Sequence, residues 1–387
     1  MACPSKELTN RDKLGLIAEW MDPRAGLLRK FLFFFYPYDS TVEMYDMKNN
    51  KKFLRRTKIE NLDSGDIFIG NVISVFSRQL KIVDYANILT RRLMSQKMMK
   101  VFALIKPDGF NRKAEILKIL INNGFKIANL RMLKFTEPVV RQLLEKQGSS
   151  SNFLAQVAHL QSGPSIVLEL VGENALEKLK KVGGPKDPNV AREEEPESII
   201  AKMGGDEVQS AFYYSSCLEH SVEETKLMFE DPKIMRDPLL HTVVLEDSTC
   251  CVVKPHVMKE GTFGKVLSDI EDKGYKITAM QLFYLDIAKA EEFYEIYKGI
   301  LLEFTDMVQE LISGPCVAME LTSEHGKDTV LQFRTFVGPT DFDIARKLRP
   351  NTLRAKYGKD RIRNVVHATD LPTDGVLEVE YFFKILV

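Results

Sequence analysis

The chain has no excess of charge of either sign. Lysine plus arginine number 54 and aspartate plus glutamate 54 in 387 residues, so no overall basic field points to nucleic acid. Cysteine is scarce. The five residues, Cys3, Cys217, Cys250, Cys251 and Cys316, are odd in number and lack the paired spacing of a zinc site or disulfide framework, which fits a reducing compartment. Long hydrophobic runs are missing too. The longest, Phe31 to Tyr36, is too short to span a bilayer, and Met1-Ala2-Cys3-Pro4-Ser5 has no secretory apolar region. These absences predict a cytosolic chain with neither nucleic acid nor membrane as a partner.

What is present is core-forming sequence: 44% of the residues are hydrophobic, enough at this length for two or three domains. From Leu14 to about Tyr85 the pattern reads as short strands and turns. Phe31–Tyr36 is aromatic and β-prone, Pro37–Ser40 supplies turn chemistry, and Thr41–Asp46 alternates with period two, which together predict a hairpin. Asn49–Lys52 gives a second turn, with further strands expected at Phe53-Leu54, Ile67–Gly70 and Leu80–Tyr85. The single tryptophan, Trp20, belongs to the core of this small antiparallel sheet or barrel rather than to a ligand platform. Arg91–Lys97 reads as a polar connection.

Beyond Lys100 the chain repeats itself. Val101–Pro107 corresponds to Thr249–Pro255, Ser162-Gly163-Pro164 to Ser313-Gly314-Pro315, and Gly184-Pro185 to Gly338-Pro339. The offset grows from 148 residues at Lys106 and Lys254 to 154 at Gly184 and Gly338, so short insertions have accumulated in the second copy. Each copy opens with a buried-type strand ending at Lys-Pro, followed by an amphipathic helix ending at glycine. In the second copy a helix over 263–273, a strand over 276–285, helical segments around 288–298 and 302–312 and a strand over 316–321 give the order β-α-β-α-α-β. That order predicts an α+β sandwich of the ferredoxin-like kind, with helices on one face of an antiparallel sheet. The expected domains are 1–98 (β-rich), 99–240 and 246–387.

A histidine after two valines, as in Asn364-Val365-Val366-His367, is ordinarily a packed strand-end residue; its surroundings point elsewhere. The second copy resembles a nucleoside diphosphate kinase through its whole length. In that family a histidine attacks the γ-phosphate of a nucleoside triphosphate, and the phosphohistidine then passes the group to a nucleoside diphosphate. The resemblance implies His367 as nucleophile and Glu378 as the carboxylate holding the other ring nitrogen. It further implies Lys254, Arg334, Arg354 and Thr340 as phosphate contacts, Tyr294 as a support for the lysine, Asn364 beside the sugar hydroxyl and Phe304, within a residue or two, as the base-stacking aromatic. Mg²⁺ is expected to arrive with the nucleotide. Each residue alone has a plainer reading: the arginines as solvated side chains, Tyr294 as core, Lys254 as strand punctuation. His256 stands where the family usually has aspartate and is expected to be a tolerated surface substitution.

The first copy keeps Lys106 but places Tyr213 at the histidine position, with Ser210 for Asn364, Ile200 for Arg354, Lys186 for Thr340, Lys180 for Arg334 and Leu143 for Tyr294. A phenol with an intrinsic pKa near ~10 stays protonated at neutral pH, so no phosphohistidine chemistry is expected there. The carboxylates of Glu193–Glu197 are expected to oppose anion binding at that site. The N-terminal stretch, through Ile17–Trp20, Asp22-Pro23, Tyr36-Pro37 and Asn71–Leu80, resembles a module of axonemal proteins. That resemblance implies a place in cilia or flagella, with tubulin and other proteins of the doublet microtubule as partners and a structural role beside any kinase activity. Tubulin surfaces are acidic, which makes Lys51–Arg56 and Arg91-Arg92 candidate contacts, although a solvated face is the commoner role of such runs. Family members are commonly hexamers; two fused copies could instead pair within one chain, and no residue pattern decides this.

Overall fold

The computed structural model describes residues 12–22, 25–59, 62–76, 78–145, 152–324 and 326–387. Met1–Ser5, Cys3 among them, together with Pro23 and Ser77, lie outside the described residues. The chain divides into two units, Met1–Met98 with Ile312–Gly314, and Met99–Leu311 with Pro315–Val387.

The first unit holds strands β1 (Leu14–Asp22), β2 (Leu27–Tyr36), β3 (Thr41–Asp46), β4 (Lys51–Lys58), β5 (Val72–Val75) and β6 (Arg78–Tyr85) in one antiparallel sheet of order β4-β3-β2-β1-β6-β5. Period-two alternation puts Phe31, Phe33 and Phe35 of β2 on the buried face, where Phe33 stands opposite Leu16 and Met44. The expected hairpin is β2–β3, and Asp39 shapes its turn by accepting the Thr41 N–H at 3.2 Å. Trp20 packs half-buried against this core. Ile67–Gly70 is not a strand. Ile67 and Phe68 are both buried, which breaks alternation, and Gly70 takes φ +89°, a turn conformation. Arg91–Lys97 belongs to a helix, Ile88–Lys97, capped by the Asn87 side chain on the Thr90 N–H at 2.7 Å.

The second unit is built on a single antiparallel sheet of eight strands: β7 (Met99–Ile105), β8 (Lys126–Lys134), β9 (Pro164–Gly172), β10 (Phe212–Tyr214), β11 (Thr249–Val253), β12 (Lys276–Phe283), β13 (Cys316–Thr322) and β14 (Val366–Ala368). The order β10-β7-β9-β8-β12-β13-β11-β14 reads the same from either edge, one copy per half, with the halves joined where Arg131 of β8 pairs with Gln281 of β12. The copies therefore pair within the chain. Helices Lys113–Asn122 and Phe263–Asp272 pack across the same junction, where Lys113 and Glu271 form an ion pair.

Helices do not keep to one face of this sheet. Val101, Ala103 and Ile105 of β7 enter a core with Leu117 and Leu120, whereas Phe102 and Leu104 enter another with Val140, Leu143 and Leu227. A strand buried on both sides carries an unbroken apolar run instead of an alternating one, which is the character of Val101–Ile105 and of Thr249–Val253.

Gly264 is the tightest point of the helix contact: a Cβ there would lie 2.9 Å from both Cα and N of Lys118. Gly264→Val should destabilise the second unit by about 1–3 kcal/mol through overpacking, read as a lower midpoint in urea unfolding, whereas an unchanged midpoint would show that the junction yields freely.

Candidate active site

The site is assembled around the end of β11. Lys254 leaves the strand with its backbone N–H donating to the carbonyl of Val365 at 2.9 Å and its ammonium donating to the carbonyl of Ile362 at 2.8 Å. The side chain is buried, and desolvation, helped by the nearby Arg354 guanidinium, pushes its pKa down to about 7. Both bonds fasten the segment that leads to His367. Within it Val366 N–H donates back to Asn364 O at 3.0 Å while Val365 adopts φ +77°, a tight turn that costs a β-branched residue on the order of 1–3 kcal/mol. The first copy repeats this geometry: Ala211 has φ +59°, Phe212 N–H reaches Ser210 O at 2.6 Å, and Lys106 N–H reaches Ala211 O at 2.9 Å. The strained turn thus belongs to the fold, with or without a histidine beyond it.

His367 lies on β14 opposite Val252. Its Nε2 is 2.9 Å from Glu378 Oε2, and the same oxygen accepts the Thr369 hydroxyl at 2.8 Å. A carboxylate accepts only, so Nε2 carries the hydrogen and Nδ1 keeps its lone pair, with no hydrogen-bond partner among the described residues. The ring is wedged by Phe293 and Tyr294, with centroids 4.9 and 5.8 Å away. Tyr294 is fully buried and its hydroxyl has no hydrogen-bond partner among the described residues.

The arginines are pre-positioned. Arg354 donates to Gly338 O at 2.8 Å and to Val366 O at 3.1 Å, while its Nε is buried and has no partner among the described residues. Burial lowers its pKa to about 10, with the charge of Arg334 adding to the effect. Arg334 donates to Asp370 O at 2.8 Å and pairs with the Asp370 carboxylate, which also accepts the Tyr297 hydroxyl at 2.5 Å. Asn364 donates to Arg361 O at 2.8 Å, and its buried side-chain carbonyl oxygen has no partner among the described residues. The structure thus ties Lys254, Asn364 and Arg354 to the His367 turn, links Arg334 in through Asp370, and rests Tyr294 against the imidazole. Thr340 is exposed, and Phe304 begins helix Phe304–Leu311 with the Lys298 ammonium 5.9 Å from its ring. Neither makes a hydrogen bond or ring contact with the His367 group among the described residues. Also among the described residues, no group of three or more His, Cys, Asp or Glu is placed to hold a metal ion.

His256 is not a surface residue. It is buried, with Nδ1 2.7 Å from Glu310 Oε1, and in the first copy the corresponding pair is Asp108 with His159, 2.8 Å apart. The acid and the histidine have changed places between the copies, and the repeat offset alone could have shown it. Glu378 and Thr369 have counterparts as well: Tyr213 donates to Glu224 Oε1 at 2.5 Å, and Ser215 bonds the other oxygen of the same carboxylate. Burial and Glu224 push the Tyr213 pKa far upward, so the phenol keeps its proton. Glu193–Glu197 does not face the first copy's cleft, whose lining carboxylates are Asp187 and Glu207.

The nucleoside diphosphate kinase family profile matches residues 99–234 and again 247–386. Nucleoside diphosphate kinase homolog 7 of Rattus norvegicus is 42% identical over 375 residues, 97% of this chain and 94% of the relative. The Mus musculus protein of the same name shows 42% identity over the same shares. A solved structure of the Aquifex aeolicus nucleoside diphosphate kinase is 36% identical and covers 36% of this chain and 96% of its own, with a TM-score of 0.34. Matched in both copies and related along nearly its whole length, the chain belongs to the nucleoside diphosphate kinase family.

Proposed function

We propose that the second copy transfers the γ-phosphate of a nucleoside triphosphate to a nucleoside diphosphate through a phosphohistidine at His367. The observation that carries this is the Glu378 bond to Nε2, which fixes the tautomer with Nδ1 as nucleophile. The Nδ1 lone pair forms a bond to the γ-phosphorus as the bond from phosphorus to the bridging oxygen breaks and the diphosphate leaves with that electron pair. A terminal oxygen of an incoming diphosphate then displaces Nδ1. Glu378 stabilises the positive charge that grows on the ring, while Lys254 and Arg354 offset the charge on the transferring oxygens. Mg²⁺, delivered with the nucleotide, neutralises phosphate charge when bound.

A second reading concerns the whole chain: a structural component of ciliary and flagellar doublet microtubules, bound to tubulin and its neighbours in the cytoskeleton. Two features favour it. The first copy has a tyrosine in place of the nucleophile, and β4 is an edge strand whose Lys51, Arg55 and Lys58 offer positive charge to an acidic surface, Lys52 and Arg56 being held by Glu43 and Asp39.

Incubation with γ-labelled ATP and Mg²⁺ should put about one acid-labile phosphate on each chain and pass it to GDP; His367→Ala should lower transfer by about a thousandfold or more, and Tyr213→Phe should not change it. Labelling that survives His367→Ala would remove the histidine from the mechanism. Lys254 supplies a pH test. Its folded pKa is about 7 against 10.5 for the free group, so between those values the unfolded chain binds more protons. The stability of the parent relative to Lys254→Met should accordingly rise as pH is raised from about 7 toward about 10 and stay level below about 7, as followed by urea unfolding; a falling difference would contradict a buried ammonium. For the second reading, the parent and His367→Ala should co-sediment equally with microtubules, and the Lys51→Glu/Arg55→Glu double variant should bind at least about threefold less tightly. Equal binding by that variant would remove β4 from the contact.

A further inference from the structure

The first copy holds a cleft of about 330 Å³, at the small end of the ~300–1,000 Å³ typical of small-molecule sites. Its wall is apolar where the second copy is polar. Leu143 and Ile200 occupy the positions of Tyr294 and Arg354, so a hydroxyl and a guanidinium have given way to hydrocarbon, and Leu104, Leu144, Phe153 and Leu160 continue the surface.

The polar groups of the cleft are mostly satisfied from within. Tyr213 is bound to Glu224, His159 to Asp108 at 2.8 Å, and Asp108 also accepts the Ala211 N–H at 2.6 Å. Asp187 caps the helix Pro188–Glu194 through the Asn189 N–H at 2.8 Å, and Glu207 accepts from Asn152 Nδ2 at 3.0 Å. Two ammonium groups are left over. Lys106 is buried and donates to Val208 O at 3.1 Å and to Ser210 Oγ at 2.7 Å, so one of its three N–H bonds lacks a partner among the described residues. Lys186 lies 5.8 Å from the Tyr213 ring and pairs with no carboxylate among the described residues. Lys180, at the position of Arg334, is held by Glu177 at 2.9 Å and does not line the cleft.

We propose that the first copy's cleft binds a small carboxylic acid with an apolar body, its carboxylate on Lys106 and Lys186 and its hydrocarbon against Leu143 and Ile200. A monoanion meets the free N–H bonds, whereas a triphosphate would bring several charges to a cleft that has lost its guanidinium and carries Asp187 and Glu207. A neutral ligand could accept a hydrogen bond but would bring no opposite charge to the buried Lys106 ammonium, and a charge-assisted bond is about twice as strong as a neutral one. The proposal does not depend on phosphotransfer by the second copy.

The full chain is titrated calorimetrically with decanoate and with 1-naphthylacetate, with decanol as the neutral control and with saturating MgATP in a parallel arm. One acid should bind per chain, at least about tenfold tighter than decanol and undisturbed by MgATP. Lys186→Gln, an exposed position that leaves the core intact, should weaken binding about threefold or more, and Ile200→Trp should block it by filling the cleft, with a cooperative urea-unfolding transition reporting that the chain remains folded. The proposal fails if neither acid binds up to about 1 mM, if decanol binds equally well, or if binding is indifferent to both substitutions. Displacement of the acid from the parent by MgATP would instead make the cleft a nucleotide site and overturn the proposal.

Discussion

The bond from the Lys254 backbone N–H to the Val365 carbonyl joins the first strand of the second copy to the turn that carries its histidine. It forms only if Val365 accepts a left-handed backbone, and that conformation is held because the Lys254 ammonium fastens the same segment at Ile362. His367, Arg354 and Asn364 are placed by what this pair of bonds fixes. The arrangement recurs around Lys106 and Ala211, where the chemistry has gone. Strain of this kind survives because the surrounding sheet over-determines it.

The buried cations follow from the same geometry. Lys254 and Arg354 are removed from water, and burial lowers the pKa of each. A polyanion beside buried cations takes the place of the solvent they lack, so two cations that are poor neighbours of each other are good partners for it. Asp370 holds Arg334 meanwhile, and Glu378 orients the imidazole.

Much of this was legible in the residues. Lys254, Tyr294, Arg354, Asn364, His367 and Glu378 stand in an order that the repeat and the family resemblance could expose, and all six gather about the His367 turn. Phe304 and Thr340 were expected on the same resemblance, and neither reaches that group by a hydrogen bond or ring contact among the described residues. Ile67–Gly70 misled because apolar character does not distinguish a strand from a buried turn, and His256 because solvent exposure of a histidine is invisible without its partner Glu310, 54 residues away. The helices on both faces were written in Val101–Ile105, an unbroken apolar run that a one-sided sheet does not need. The pairing of the copies rests on a brief strand contact and one helix crossing, too short-range a match to leave a sequence pattern.

The shared eight-stranded sheet has a consequence for how the two halves can change. Separate subunits that meet across such an edge must find one another at cellular concentration, and every substitution appears on both sides of the contact at once. Covalent linkage raises the local concentration of the partner to the order of millimolar and breaks that symmetry. One half can then drift in chemistry while still serving as the permanent neighbour that completes the other's fold. The exchange of acid and histidine between Asp108–His159 and His256–Glu310 is a rewriting of this one-sided kind, contained within each half.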